Sequence, residues 1–279
     1  VAKKKAPWFG SLDLVGLPGM VRCLLVCRFA LASKVQIRHR VSIASFLVNG
    51  RLPITFTYAP ETQIMTSDLS SIQADTVVVL DFETTGLSPD FGDRAIEIGA
   101  VKIVDGKFVE RFQKLMNPGF AISGFITEYT GISNAMLKNA PPCREVMCEF
   151  HEFIGHHNLV AHNASFDRKF LDSEFSMISK SYPGAFSCSM LLSRRMIQDA
   201  KNHKLETLVR HLKIETDGVF HRALYDAEMA GRLWLAMLDQ ISEQAKLVAV
   251  PFGLANKLCK ASKSKVNSML QGYAKSSKT

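Results

Sequence analysis

The sequence predicts an α/β protein, a mixed sheet with flanking helices, and three observations carry that expectation. Between 77 and 116 three apolar or alternating runs follow one another across short turns. Beyond 143 the apolar residues recur at helical spacing, and a short apolar run at Leu159-Val160 interrupts them. Strands followed by helices build a sheet covered by helices.

The first strand is VVVL (77–80), a continuous apolar run. The second is AIEIGAVKI (95–103), rich in Ile, and the third, KFVERFQKLM (107–116), alternates. Val104-Asp105-Gly106 joins the second and third as a hairpin, and Asn117-Pro118-Gly119 ends the meander. Helices are expected over about 143–155, from Ser165 to Met177, and near 189–198, 204–212 and 223–240. No internal repeat or low-complexity segment is visible.

Charge is distributed unevenly. The chain has 279 residues and a net charge of +8, divided as +5 over 1–75, −3 over 76–240 and +6 over 241–279. A basic protein suggests a polyanionic partner, yet the centre is slightly acidic, which is where metal ligands are sought. The basic end reads as a helix over 253–273, with Leu254, Leu258 and Leu270 on one side and Lys257, Lys260, Lys263 and Lys265 exposed to nucleic acid or a partner protein.

Six cysteines form no C-x-x-C pair and read as reduced thiols of a cytoplasmic protein. Arg22 and Arg28 break the apolar stretch 14–31 too often for a membrane span or a signal peptide. The basic, acid-poor start also has the composition of an organelle transit peptide. Residues 1–64 show no strand or helix periodicity and open on Val, whereas Met65 stands sixteen residues before Asp81. The expectation is that 1–64 is an extension outside the working protein, untranslated or disordered, with a domain over 65–240 and a basic tail over 241–279.

Three elements carry chemistry. In LDFETTGL (80–87) strand alternation points Asp81 and Glu83 to one face, where two carboxylates need a cation or a proton. NLVAHNASFDRKF (158–170) turns from a short strand into a helix with Asp167 in its first turn. In FHRALYDAEMAGRLW (220–234) Asp226 shares a helical stripe with Met229, Ala230 and Leu233, so it faces the core and wants a cation or strong donors. His221 lies five residues before Asp226. Taken singly, each has a plain structural reading: a solvated loop, a first-turn acid, a capping histidine. Together they are hard oxygen ligands that select Mg²⁺ or Mn²⁺ over Zn²⁺. Two such ions about 4 Å apart can hold water and leaving oxygen in line at a phosphodiester. A histidine with a reference pKa of about 6.5 can take the proton.

D-x-E after an apolar strand, then H-N-x-x-F-D, then H-x-x-x-x-D, in that order, resemble the three motifs of the DEDDh exonuclease family. The likeness runs over about 76–240, includes AIEIGAVKI and the Thr-Gly-Ile at 130–132, and is greatest to the epsilon proofreading branch. It implies a ribonuclease H-like sheet of three antiparallel strands followed by parallel ones, and 3′-5′ exonuclease activity with two metal ions. It assigns Asp81, Glu83 and Asp226 to the metals, Asp167 to the second metal directly or through water, and His221 to the general base. Thr84, Thr85 and Gly86 would approach the terminal nucleotide, and Leu87 would wedge against its base. His162, Asn163 and Phe166 would line the strand path, although Leu87 and Phe166 are equally readable as core.

The expected partner is a single-stranded or frayed 3′ end of DNA, with RNA as the alternative and no membrane. A DNA polymerase subunit is an allowed partner, but 241–279 carries no Q-x-x-L-F-like peptide. An exoribonuclease of RNA turnover and a non-catalytic nucleic-acid-binding module are the other readings; the intact D-E-D-D-H set argues against the second.

Overall fold

Valine- and isoleucine-rich runs that are apolar at every position must be covered on both faces, and that requirement organises the molecule. The computed structural model describes residues 10–17, 20–27, 72–216 and 222–276. The chain divides into two units, 1–67 and 68–279.

In the first unit β1 (Gly10–Leu17) and β2 (Met20–Cys27) pair antiparallel, with Leu14 opposite Cys23. This differs from the expectation that the stretch lacks strand character. Arginine within an apolar run hides the alternation, and the signal that marks the pair is the Pro18-Gly19 dipeptide between them. The other residues of 1–64 lie outside those described.

In the second unit β3 (Val77–Thr84), β4 (Ala95–Val104), β5 (Lys107–Leu115), β6 (Asn158–Ala161) and β7 (Phe186–Cys188) form one sheet in the order β5-β4-β3-β6-β7. β3, β4 and β5 are antiparallel neighbours, and β6 and β7 add in parallel. The sheet is therefore mixed, as the resemblance implies. Asp105 and Gly106 both take positive φ, 50° and 74°, which a two-residue turn between twisted strands demands.

Alternation along β3 sends Val77 and Val79 to one face and Val78, Leu80 and Phe82 to the other. The first face is covered by α5 (Ser189–Met196), α6 (Leu205–His211) and α7 (Ala223–Ala245), with α8 (Phe252–Lys260) and α9 (Val266–Ser276) behind them. Gly231 lets α7 settle on the sheet, since a Cβ there would stand 3.1 Å from the Phe108 ring. Trp234 is buried and donates its indole N–H to Ala74 O at 2.7 Å. The second face is covered by α3 (Cys143–Ile154) and α4 (Ala164–Met177), where Phe150, Phe170 and Phe175 are buried.

Two short helices, α1 (Gly124–Thr130) and α2 (Asn134–Lys138), and β7 are absent from the sequence reading. Seven, five and three residues are too few to show periodicity. The expected single helix over 253–273 is two, because the backbone at Ala261 and Ser262 is extended. Leu254, Leu258 and Leu270 are buried in the α7-side core, and Ala74 N donates to Val250 O at 2.7 Å, so 241–276 completes the sheet's cover. No helix among the described residues is long and apolar enough to cross a membrane.

Candidate active site

β3 leaves the core with its two acids on the α7 face. Asp81 pairs in register with Gly99 of β4, and Glu83 with Glu97; the register then shifts between Glu83 and Thr84, which turns the chain into the 84–87 loop. Gly99 matters for its lack of a side chain. A Cβ there would lie 2.0 Å from Leu224 N and 2.1 Å from Ala223 C, so only glycine admits the first turn of α7 against β4. One turn further along, Asp226 reaches the carboxylates of β3. Oxygens of Asp81, Glu83 and Asp226 lie within 4.8 Å of one another.

Asp167, in the first turn of α4, is buried behind them and accepts the Phe82 N–H at 3.2 Å. Burial, the largest cause in each case, pushes Asp81, Glu83 and Asp167 upward, and neighbouring acids add to it at Asp81 and Glu83. Asp81 is raised well above the ordinary carboxylate range by burial, then by Asp167, Asp226 and Glu83. Burial, followed by Asp226 and Glu97, pushes Glu83 up to about 8, with Arg222 opposing. Burial raises Asp167 to about 7 against the Phe82 N–H, which holds it down. Acids that hold protons near neutrality because they are buried, and at Asp81 and Glu83 also because other acids face them, are a ready seat for a cation. Carboxylate oxygens at this spacing suit a hard divalent ion.

The cluster opens into a cavity of about 590 Å³. Its floor is Asp81, Glu83 and Asp226; Thr84, Thr85, Gly86, Leu87 and Phe166 form one side. That side is braced from beneath. Asp93 accepts the Thr85 hydroxyl at 3.2 Å and the Ser88 N–H at 3.0 Å, and a Cβ on Gly86 would come within 2.3 Å of the Asp93 carboxylate. Leu87 is 82% exposed on the rim, so the core reading of this residue does not hold. Phe166 is half-buried, packing on Phe170 at 5.0 Å while it faces the cavity.

His162 and Asn163 stand outside the cavity lining. The His162 ring contacts Ser189 Oγ at 2.9 Å through Nδ1 and His203 O at 2.9 Å through Nε2. Burial pushes it down to about 4, so it is a neutral tie between α4's approach, α5 and the 203 loop. Asn163 takes φ 67° immediately before α4 and turns the strand into the helix. His221 lies outside the described residues.

Sequence reasoning missed four contributors. Phe125 and Tyr129 stack at 6.2 Å on α1 and form the far wall. Tyr129's phenol is raised by burial and by Glu83, Asp226 and Asp81, which places it beside the acids. The signals were local. Ser123 and Ser133 accept Ile126 N–H and Met136 N–H as caps, and Gly131 ends α1 at φ 71°. Glu97 and Arg222 are the other two: Arg222 donates Nη2–H and Nε–H to Glu97 at 2.8 and 3.2 Å. A lone acid inside the apolar run AIEIG is a buried charge that requires a partner, and that is its signal.

A mixed sheet with carboxylates from its central strand and from α7 gathered at one cavity, and a further buried acid from α4 behind them, defines a divalent-cation site on a nuclease-type fold. A model of the family described as RNase_T: Exonuclease matches residues 78–234, and the chain belongs to that exonuclease family. DNA polymerase III PolC-type from Oceanobacillus iheyensis is 38% identical over 199 residues, 71% of this chain and 13% of that protein. The PolC-type protein of Bacillus subtilis is 34% identical over 218 residues, 77% of this chain and 14% of its own. The chain thus spans about an eighth of the length of these relatives. Among solved structures, Exonuclease X in complex with 5′ overhanging duplex DNA aligns with 66% of this chain and 99% of its own, at TM-score 0.52 and 26% identity. The nuclease domain of 3′hExo, a DEDDh family member bound to rAMP, aligns with 59% of this chain and 92% of its own, at TM-score 0.51 and 22% identity, a likeness of fold alone.

Proposed function

We propose that the protein is a 3′-5′ exonuclease that hydrolyses phosphodiester bonds at the 3′ end of DNA and releases nucleoside monophosphates. The observation that carries this reading is the gathering of Asp81, Glu83 and Asp226 within 4.8 Å at the floor of an open cavity, with Asp167 behind. Two Mg²⁺ or Mn²⁺ ions held there supply charge neutralisation for the scissile phosphate and lower the pKa of the attacking water. Asp81, Glu83 and Asp226 hold the ions, and Asp167 serves the second directly or through water. His221 accepts the proton of the water.

The loop braced by Asp93 brings the backbone of Thr84, Thr85 and Gly86 to the terminal nucleotide, with Leu87 against its base. Phe166 borders the strand path, while His162 and Asn163 act by holding the turn into α4. The exposed Phe125–Tyr129 stack offers a π-face opposite Leu87, and such stacking contributes about 1–3 kcal/mol per base. DNA is favoured because the PolC-type relatives are DNA polymerases and Exonuclease X is seen with duplex DNA. That context makes proofreading or repair the process, with a polymerase as partner. The working unit lies within 65–279, so a chain starting at Met65 retains the activity.

A time course with Mg²⁺ or Mn²⁺ on matched 3′-labelled and 5′-labelled DNA and RNA single strands tests the proposal. Stepwise shortening of the 5′-labelled DNA and immediate loss of the 3′ label are expected. Preference for RNA would replace the substrate, and full activity in excess chelator would end the reading.

A further inference from the structure

The cluster works only if Asp226, on a helix, arrives at the right height beside two acids on a strand. Glu97 supplies the reference point. It is fully buried on β4, across from Glu83. Its Oε1 accepts Arg222 Nη2–H at 2.8 Å and Gln113 Nε2–H at 2.9 Å. Its Oε2 accepts Arg222 Nε–H at 3.2 Å and Ala223 N–H at 3.3 Å. Four donors on two oxygens leave the carboxylate little freedom.

Two of those donors belong to the residue before α7 and one to its first residue. Arg222 makes no side-chain cap of its own; Glu97 satisfies the helix's first N–H from across the sheet. Asp226 N–H donates to Arg222 O at 3.0 Å, so Asp226 stands one helical turn from the clamp. Gly99, two residues along the same face of β4, presents no side chain where a Cβ would meet the first turn of the helix at 2.0 Å.

We propose that Glu97 and Arg222 are positioning residues that index α7 against the sheet, fixing Asp226 against Asp81 and Glu83 so that the three can share a divalent ion. This rests on the metal-dependent reading above. Neither residue is a ligand, and Arg222 acts through the direction of its planar fork, which a point charge cannot reproduce.

The test compares Arg222→Lys, Arg222→Met and Glu97→Gln with wild type in the full chain. Mn²⁺ binding is read without nucleic acid by electron paramagnetic resonance, and kcat and KM are read on DNA. All three variants are expected to bind Mn²⁺ about 10–100-fold more weakly and to lose kcat by a similar factor, with KM for DNA unchanged. Arg222→Lys is the deciding variant because it keeps the charge and loses the fork. Wild-type Mn²⁺ affinity and kcat in Arg222→Lys would overturn the proposal in favour of charge alone. A lowered Tm with unchanged Mn²⁺ affinity per folded molecule would overturn it in favour of a purely structural role. If wild type binds Mn²⁺ and degrades no DNA, the exonuclease reading fails, and the Mn²⁺ comparison still decides this one.

Discussion

Two kinds of carboxylate are enclosed on and against this sheet, and they are treated in opposite ways. Glu174 of α4 accepts Arg94 Nε–H and Nη2–H at 2.8 Å each, and the N–H of Ala95 at 3.3 Å. Glu97 of β4 accepts the same three groups from Arg222 and Ala223. An Arg-Ala step is used twice, once to start β4 and once to start α7, each time with a buried glutamate as its anchor. Asp81 and Glu83 instead face other acids, and are raised first by burial and then by those neighbours. An arginine beside an acid makes an anchor, whereas acids beside acids make a seat for something the chain does not itself supply. Burial alone does not separate the two groups, since Glu83, Glu97, Asp167 and Glu174 are all buried.

The largest effect is expected from Asp81→Asn or Asp226→Asn, which should abolish turnover. The same changes should raise the Tm of the metal-free protein, because a self-repelling cluster is relieved. Residual Mg²⁺-dependent activity in single-turnover assays, or a lowered metal-free Tm, would move these acids into the anchor class.

His221→Ala comes next, with kcat down by about 10² to 10⁴ and metal affinity retained, the range for a lost general base. The rate of the wild type should rise with pH through the histidine pKa, and that of the variant should not. A variant that also loses Mn²⁺ would make His221 a ligand.

Arg94→Met probes the other side of the comparison. It leaves Glu174, with only 3% of its side chain exposed, as an uncompensated buried charge. Removing one partner of a buried pair costs about 3–5 kcal/mol, and partial exposure of Arg94 puts this pair at the lower end. Denaturant melts should show the loss, while kcat per folded molecule stays near wild type. A fall in kcat with stability intact would give Glu174 a part in the chemistry.

How much of this was legible in the sequence depends on the distance over which each signal acts. Asp81 and Glu83 are readable because strand alternation is local and the run before them is apolar. Asp226 is readable because its neighbours three and seven residues on, Met229 and Leu233, mark the buried stripe. Glu97 is suspicious in its strand, but its role depends on Arg222, 125 residues away, and no periodicity connects the two. The wall made by Phe125 and Tyr129 sits on a helix of seven residues, too short for a stripe, and only its capping serine and glycine announce it. In the segment after 241 the lysines draw attention to solvent, while the leucines between them are buried in the core.

The smallest effect, and the most direct reading of the acid cluster, is the pH dependence of stability without metal. Glu83 rises from 4.5 to about 8 on folding and Asp167 from 3.8 to about 7. Across those intervals the folded protein holds protons that the unfolded chain has released, so stability falls as pH rises. His162 has the opposite sign: it drops from 6.5 to about 4, so its contribution to stability grows with pH and is complete above 6.5. His157 and His203 are also lowered by burial and add to that side. Below pH 6.5 the two sets oppose each other; between 6.5 and 8 only the acids act. The metal-free protein should therefore lose Tm steadily from pH 6.5 to 8. Saturating Mg²⁺ should flatten or reverse that slope, since binding requires ionised carboxylates. Asp81→Asn should also flatten it, because one of the charges that crowd the site is gone. Arg94→Met should leave it in place at a lower overall Tm. A metal-free melting curve that is flat over this window, or one that Mg²⁺ does not change, would mean the four acids are not the mutually repelling set described, and the division between seat and anchor would fall with it.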